Sequence, residues 1–162
     1  VRVGASRSRL PLAVTTIAAG LFVLTLVLVP VAEIKGLSEA SWLRLGLSPI
    51  CHQIGDRCLD LGAGPLPVCA RCAGLYTGGL TGLLATLVGH RRFRPRLRWL
   101  LLAAAPSAID FALGLFDLPD LANWPRFAVA TVPGFVLGLL LADAVSASTA
   151  TDAEATADGG IT

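Results

Sequence analysis

The four cysteines of this 162-residue chain all lie between Cys51 and Cys72, and one of its two histidines, His52, sits beside the first of them. Thiol and imidazole are the soft side chains that bind metals and exchange disulfides, so this window concentrates the chemistry. Cys69 and Cys72 form a C-x-x-C pair immediately ahead of an apolar run. With a helix starting near Val68, both thiols fall in its first turn. There the free N–H groups and the positive end of the dipole favour thiolate, and Arg71 adds a positive charge. Cys51 and His52 supply a third thiol and an imidazole, completing a three-cysteine, one-histidine donor set of the kind that encloses zinc. Neighbouring side chains diverge, so His52 is expected either on the metal or just behind it. Cys58 offers an all-cysteine alternative. A thiolate serves a metal and a redox partner equally. Three readings therefore stay open: a zinc-like metal site, a Cys69/Cys72 dithiol exchanging with Cys51–Cys58 and a quinone, and a loop bridged by structural disulfides.

The elements that position these residues are apolar. Hydrophobic residues make up 54% of the chain and charged residues 15%, and the mean hydropathy is +0.72, more than an ordinary soluble domain carries. Runs at about 12–29, 73–89, 99–116 and 127–145 suit bilayer crossings. The predicted fold is all-α: an integral membrane bundle of four transmembrane helices with an extracytoplasmic Cys/His-containing loop. Residues 1–146 form its single membrane domain. The Ala/Ser/Thr/Asp/Gly-rich stretch 147–162 cannot bury a core and is predicted to be a disordered cytoplasmic tail.

The first run, Leu12–Val29 between Pro11 and Pro30, spans about 27 Å as a helix. It exceeds a signal-peptide core, and Pro30 suits a cleavage site poorly, so it is read as a retained anchor. Between the first two runs, Ser38–Leu47 is predicted as a short helix with Ser38 as its N-cap. Its Trp42, Leu43, Leu45 and Leu47 suit the bilayer interface. The Gly62–Pro67 segment is turn-rich and folds the second cysteine pair back toward the first. Gly74, Gly78 and Gly82 share a helical face that lets a neighbouring backbone approach, and Gly134 and Gly138 form a second such pair.

Arginines set the orientation. Arg2, Arg7 and Arg9 precede the first run, and His90, Arg91, Arg92, Arg94, Arg96 and Arg98 separate the second from the third. Between apolar spans such clusters mark the cytoplasmic side rather than a nucleic-acid surface. Both termini are thus expected in the cytoplasm of a multi-pass plasma-membrane protein, with the cysteine loop and the Asp117–Arg126 turn outside. The lipid bilayer is the expected partner, nucleic acid is not, and no protein partner is specified. Asp110 lies inside the third run, where a charge costs at least ~2.5 kcal/mol. Arg71 and Arg126 are its nearest partners by depth.

The strings Pro49-Ile-Cys51-His52-Gln53 and Leu66-Pro67-Val68-Cys69-Ala70-Arg71-Cys72-Ala-Gly74-Leu-Tyr76-Thr-Gly78, followed by Pro106, Asp110, Asn123, Arg126, Gly134 and Gly138, resemble the domain-of-unknown-function 2085 family. The resemblance covers roughly Pro49 to Gly138. It implies a small prokaryotic multi-span membrane protein with extracytoplasmic Cys and His residues, and specifies no activity. The chain departs from the family pattern at Cys58, where Ser is usual, at Phe111, where Gly is usual, and at Pro125. The family pattern supplies three thiols, so Cys51, His52, Cys69 and Cys72 are the working set, with zinc the expected ion. Gln53, Arg71, Asp110, Asn123 and Arg126 are expected to support them. In layout only, the chain is also similar to vitamin K epoxide reductase and disulfide bond formation protein B, which is the ground for the quinone-linked alternative.

Overall fold

The computed structural model describes residues 9–37, 39–89, 96–116 and 121–158. Helix α1 (Arg9–Ile34) starts before and ends beyond the proline-bracketed run. Pro11 falls in its first turn, where the missing N–H breaks no bond, and the helix continues through Pro30. Proline is tolerated within a membrane helix where neighbouring groups satisfy the freed carbonyl. Helix α2 (Glu39–Leu47) follows. Ser38, its expected cap, lies outside the described residues, as do Arg2, Arg7, His90, Arg91, Arg92, Arg94, Asp117, Pro119 and Asp120.

The loop is not purely irregular, which amends the all-helical expectation. After a 3₁₀ turn at Gly55–Arg57, strands β1 (Cys58–Asp60) and β2 (Pro65–Cys69) pair antiparallel. Cys58 stands opposite Cys69, and Asp60 opposite Pro65. The hairpin turn needs positive φ at Gly62 and Gly64, 89° and 94°, a region open to glycine at little cost. Asp60 Oδ1 accepts the amides of both glycines, at 2.7 and 3.2 Å, which closes the turn from its own side chain.

Helix α3 (Ala70–Val88) springs directly from β2 and stops at Gly89, whose φ is 119°. Helix α4 (Leu97–Leu115) and helix α5 (Asn123–Asp158) complete the described chain. Helix α5 carries on through the Ala/Ser/Thr-rich stretch from 147 to Asp158. Its alanines have the strongest helix propensity, and a long helix already in progress escapes the cost of nucleation.

Among the described residues, three helices are long and apolar enough to cross a bilayer: Leu10–Ile34, Leu97–Leu115 and Asn123–Ser148. The second expected span, α3, is not one of them, because its glycines, threonines and Arg71 dilute its hydropathy. What α3 loses in apolarity it gains in contact. It packs chiefly against α5, along the predicted glycine face. A Cβ added at Gly74, Gly78 or Gly82 would collide with the carbonyl oxygens of Phe127, Thr131 and Phe135. Gly134 and Gly138 meet the backbone of Leu75 and Gly79 in the same way. Lipid supplies no hydrophobic drive between helices, so this backbone approach is what makes the contact favourable. The outer surface stays apolar: Leu21, Leu24, Leu101, Leu102, Ile109 and Leu137 are all exposed. This is the surface a membrane protein presents to acyl chains.

Candidate metal centre

The site rests on a small core of its own. Leu26 of α1, Leu59 of β1, Leu66 and Val68 of β2, and Ala70 and Ala73 of α3 are buried together with Cys51. Val68 and Ala70 are fully enclosed, so the residue between them, Cys69, is placed by packing on both sides.

Arg44 ties the surrounding segments to this core. Its Nε and Nη2 donate to Glu33 Oε1 and Oε2, both at 2.8 Å, in the bidentate geometry that gives arginine–carboxylate pairs direction. The same Nη2 donates to Pro65 O at 3.0 Å, and the Arg44 carbonyl accepts Gln53 Nε2 at 2.6 Å. One residue, through its guanidinium and its carbonyl, thus joins the end of α1, α2, β2 and the Cys51–Gln53 corner. Gln53 has φ of 51°, the left-handed region that costs a non-glycine residue about 1–3 kcal/mol. Its amide bond to Arg44 holds that turn, which reverses the chain just after Cys51-His52.

Three thiols converge there. The Sγ atoms of Cys51, Cys69 and Cys72 lie within 4.8 Å of one another. Cys69 is the N-cap of α3, with φ −67° and ψ 161°, and Cys72 sits in the first turn. The Cys69 amide donates to Cys51 Sγ at 3.1 Å, tying the two distant segments through sulfur. The Cys69 thiol is held well below its usual range, first by hydrogen bonding from the Cys72 thiol. Burial opposes that effect, and the nearby backbone amides of Cys72 and Arg71 reinforce it. Such an environment favours the thiolate that metals and disulfides require.

The other two candidates stand apart from the cluster. His52 is exposed and contributes no atom to it. Cys58 is buried and donates to Ile54 O at 3.2 Å. Burial pushes its thiol up to about 11, with Cys51 and Cys69 adding to the rise. All four cysteines carry free thiols. The bridged-scaffold expectation therefore finds no bridge in this structure.

Behind the thiols lies an ion-pair cluster. Asp110 is 2% exposed, and its Oδ2 accepts Arg71 Nε at 2.7 Å, a second bond from Arg71 Nη2, and Arg126 Nε at 3.1 Å. Its Oδ1 accepts the Leu121 amide at 2.8 Å. The charge inside α4 is thereby offset by α3 and α5, and the three helices are locked at one level. Asn123 Nδ2 donates to the carbonyls of Asp56 and Cys58, at 2.9 and 3.0 Å, fastening the loop to the start of α5. Gln53, Arg71 and Arg126 line the same cavity as the three thiols, whereas Asp110 bonds Arg71 and Arg126 and Asn123 holds the loop backbone at Asp56 and Cys58. Arg44 and Glu33 were not anticipated, because an ion pair eleven residues apart between a helix end and a loop helix leaves no periodic trace.

A cavity of about 420 Å³ opens over the cluster. Cys51, Cys69 and Cys72 reach its wall together with His52, and Arg71 and Arg126 flank them. The arrangement can hold a soft ion on three sulfurs, with the cavity giving access to its remaining position.

A family profile described as "Predicted membrane protein (DUF2085)" matches residues 51–140, a span that begins at Cys51 itself. The chain is similar to Uncharacterized protein MJ1492 of Methanocaldococcus jannaschii, 29% identical over 126 residues, covering 72% of this chain and 81% of that one. It is also similar to an uncharacterized protein of Methanothermobacter thermautotrophicus, 30% identical over 92 residues, covering 56% of this chain and 83% of the relative. No solved structure matches the chain.

Proposed function

The chain belongs to the Predicted membrane protein (DUF2085) family, and from that premise we propose that it holds a zinc-like ion on Cys51, Cys69 and Cys72 at the membrane surface. The observation that carries this reading is the convergence of three sulfurs within 4.8 Å. A tetrahedral zinc with bonds of about 2.3 Å separates its sulfurs by about 3.8 Å, so modest side-chain rotation closes the site. His52 lines the same cavity and is the residue available for the fourth position. Either it ligates, giving a closed structural or sensing site, or it stays on the rim and leaves that position to a ligand. In the proposed topology α3 is a fourth crossing helix, made polar by its glycine interface rather than by exposure to water. The termini lie in the cytoplasm and the cysteine loop outside the cell membrane, as the arginine distribution requires.

The test compares two variants purified in detergent without chelator. Cys69→Ser should lose most of its bound zinc, whereas Cys58→Ser should keep it. Unchanged metal in Cys69→Ser refutes the site.

A second reading is favoured by the same proximity. Cys51 lies as close to Cys69 as a resolving thiol must, so a disulfide formed at Cys69–Cys72 could pass to Cys51 by exchange. Oxidation of the dithiol would send two electrons and two protons to a quinone, yielding a disulfide and a hydroquinone. An apolar cavity of about 180 Å³ between α1, α3 and α5, beside Phe22 and Tyr76, is the space that would suit such a carrier. Failure of the purified protein to pass electrons from a dithiol to a soluble quinone rules this out.

A further inference from the structure

The loop that carries the thiols has an apolar outer face. On α2, Ala40 is buried against the fold and Arg44 and Leu47 are half-buried, whereas Trp42, Leu43 and Leu45 turn outward. Trp42 is 73% exposed and Leu45 60%. A short helix that faced water would carry polar groups at those positions, so this face calls for an apolar neighbour.

The chain path fixes where that neighbour can be. Helix α1, long and apolar enough to span a bilayer, stops where Gly36 turns left-handed at φ 73°. The Gly36 amide donates back to Glu33 O at 2.9 Å and the Leu37 amide to Ala32 O at 3.1 Å, the paired bonds that end a helix and turn the chain off its axis. Helix α2 begins just beyond that turn, at Glu39. The bidentate Arg44–Glu33 pair then ties the middle of α2 back to the last turn of α1. With so little chain and that tie, α2 stays within a side chain's reach of the end of a spanning helix.

Residues that favour the membrane–water boundary stand at this end of the bundle. Lys35 is exposed just past α1, where a cationic head reaches the headgroups while its stem stays in apolar surroundings. Trp124 is exposed in the first turn of α5, and its neighbour Asn123 is bonded to the loop at Asp56 and Cys58. Tryptophan collects at that boundary because its ring is apolar and its N–H polar.

We infer that α2 is an in-plane helix seated on the lipid surface at the loop end of the bundle, with Trp42, Leu43 and Leu45 at the boundary between headgroups and acyl chains. The occupant of the face is the protein's own bilayer, because the face follows directly from a spanning helix whose exposed Leu28, Val31 and Ile34 already present an apolar surface to lipid. The seat reaches the thiols. The Leu47 carbonyl accepts the amides of Ile50 and Cys51 at 3.1 and 3.0 Å, so Cys51 hangs from the C-terminal end of α2. The inference goes beyond metal binding and holds whether or not the sulfurs carry an ion.

The chain has three tryptophans, so Trp99→Phe with Trp124→Phe leaves Trp42 as the one emitter. The full-length variant is placed in phosphatidylcholine vesicles whose acyl chains carry bromine either near the headgroup or near the methyl end, and acrylamide is added from the water. Bromine near the headgroup should quench Trp42 more strongly than bromine near the methyl end, and acrylamide should quench it far less than in the urea-unfolded chain. Leu45→Asp in the same background should shift the emission to the red and raise acrylamide quenching, because a carboxylate draws the helix toward water. The difference between the parent chain and Trp42→Phe gives the same quantity with Trp99 and Trp124 in place, which covers a folding defect in the double variant. Full acrylamide quenching without a bromine effect places α2 in water and overturns the proposal. Protection from both quenchers means that a second copy or another protein covers the face, and stronger quenching by the deeper bromine means burial in the acyl core. Either result overturns it, as does a Leu45→Asp chain that behaves like its parent.

Discussion

Cys58 and Cys69 face each other across one rung of the hairpin, yet their surroundings make them different reagents. Cys58 is buried, bonded to Ile54 O and raised to about 11. Cys69 is lowered by the Cys72 thiol in front of it. In metal-free protein at neutral pH, iodoacetamide followed by peptide mass analysis should therefore label Cys69 first and leave Cys58 unmodified until denaturant is added. Early labelling of Cys58 contradicts the assignment. The pH linkage follows from the same signs. A lowered folded-state value at Cys69 stabilises the metal-free fold above the unfolded thiol range, and that contribution is lost as pH falls through the lowered value. The raised value at Cys58 acts in the opposite sense, and its contribution is lost as pH rises through about 11. Metal-free protein should thus be less heat-stable at pH 5 than at pH 8 by the Cys69 contribution, and Cys69→Ser should flatten that difference. Asp110 offers a second residue-level test. Asp110→Asn leaves two guanidinium groups without their carboxylate, which costs about 3–5 kcal/mol for a buried pair. Its thermal midpoint should fall by several degrees or more, whereas an unchanged midpoint would mean the ion pairs are dispensable.

At the scale of elements, the packing face of α3 was legible in advance, though not its partner α5, because a residue recurring every fourth position occupies one face whatever surrounds it. Gly78→Ala should therefore destabilise the bundle by about 1–3 kcal/mol, since its Cβ meets the Thr131 carbonyl. Gly79→Ala should be tolerated, because its nearest neighbour is 3.8 Å away. Equal midpoints for the two variants would deny the contact. The hairpin was not legible. Three residues in β1 and a β2 containing two prolines give no alternation to read, and what makes them strands is their mutual pairing and burial. Of the candidate site, the gathering of Cys51 with Cys69 and Cys72 followed from the turn-rich link, whereas the separation of His52 depended on the Gln53 corner, whose left-handed backbone no residue type announced. The continuation of α5 was hidden because composition argues against burial without arguing against helix.

At the scale of the molecule, three helices among the described residues qualify by length and apolarity, and the proposed fourth crossing, α3, is recognised by what it packs against. A reporter inserted at the Gly62–Gly64 turn should be active outside the cell, and one placed after α5 should be active inside. The same side for both would remove α3 from the membrane. The whole arrangement also explains why the thiols sit where they do. Arg44 fastens the loop to α1, Asn123 fastens it to α5, and Asp110 locks α3, α4 and α5 at the level of the sulfurs. In the proposed function this frame exists to hold a metal. The most direct measurement is the metal content of the full chain purified without chelator or reductant, with free thiols counted before and after chelation. A metal site should give about one zinc per chain and three thiols that become reactive once it is removed. A metal-free protein whose thiols are already reactive, or already paired as disulfides, would contradict it.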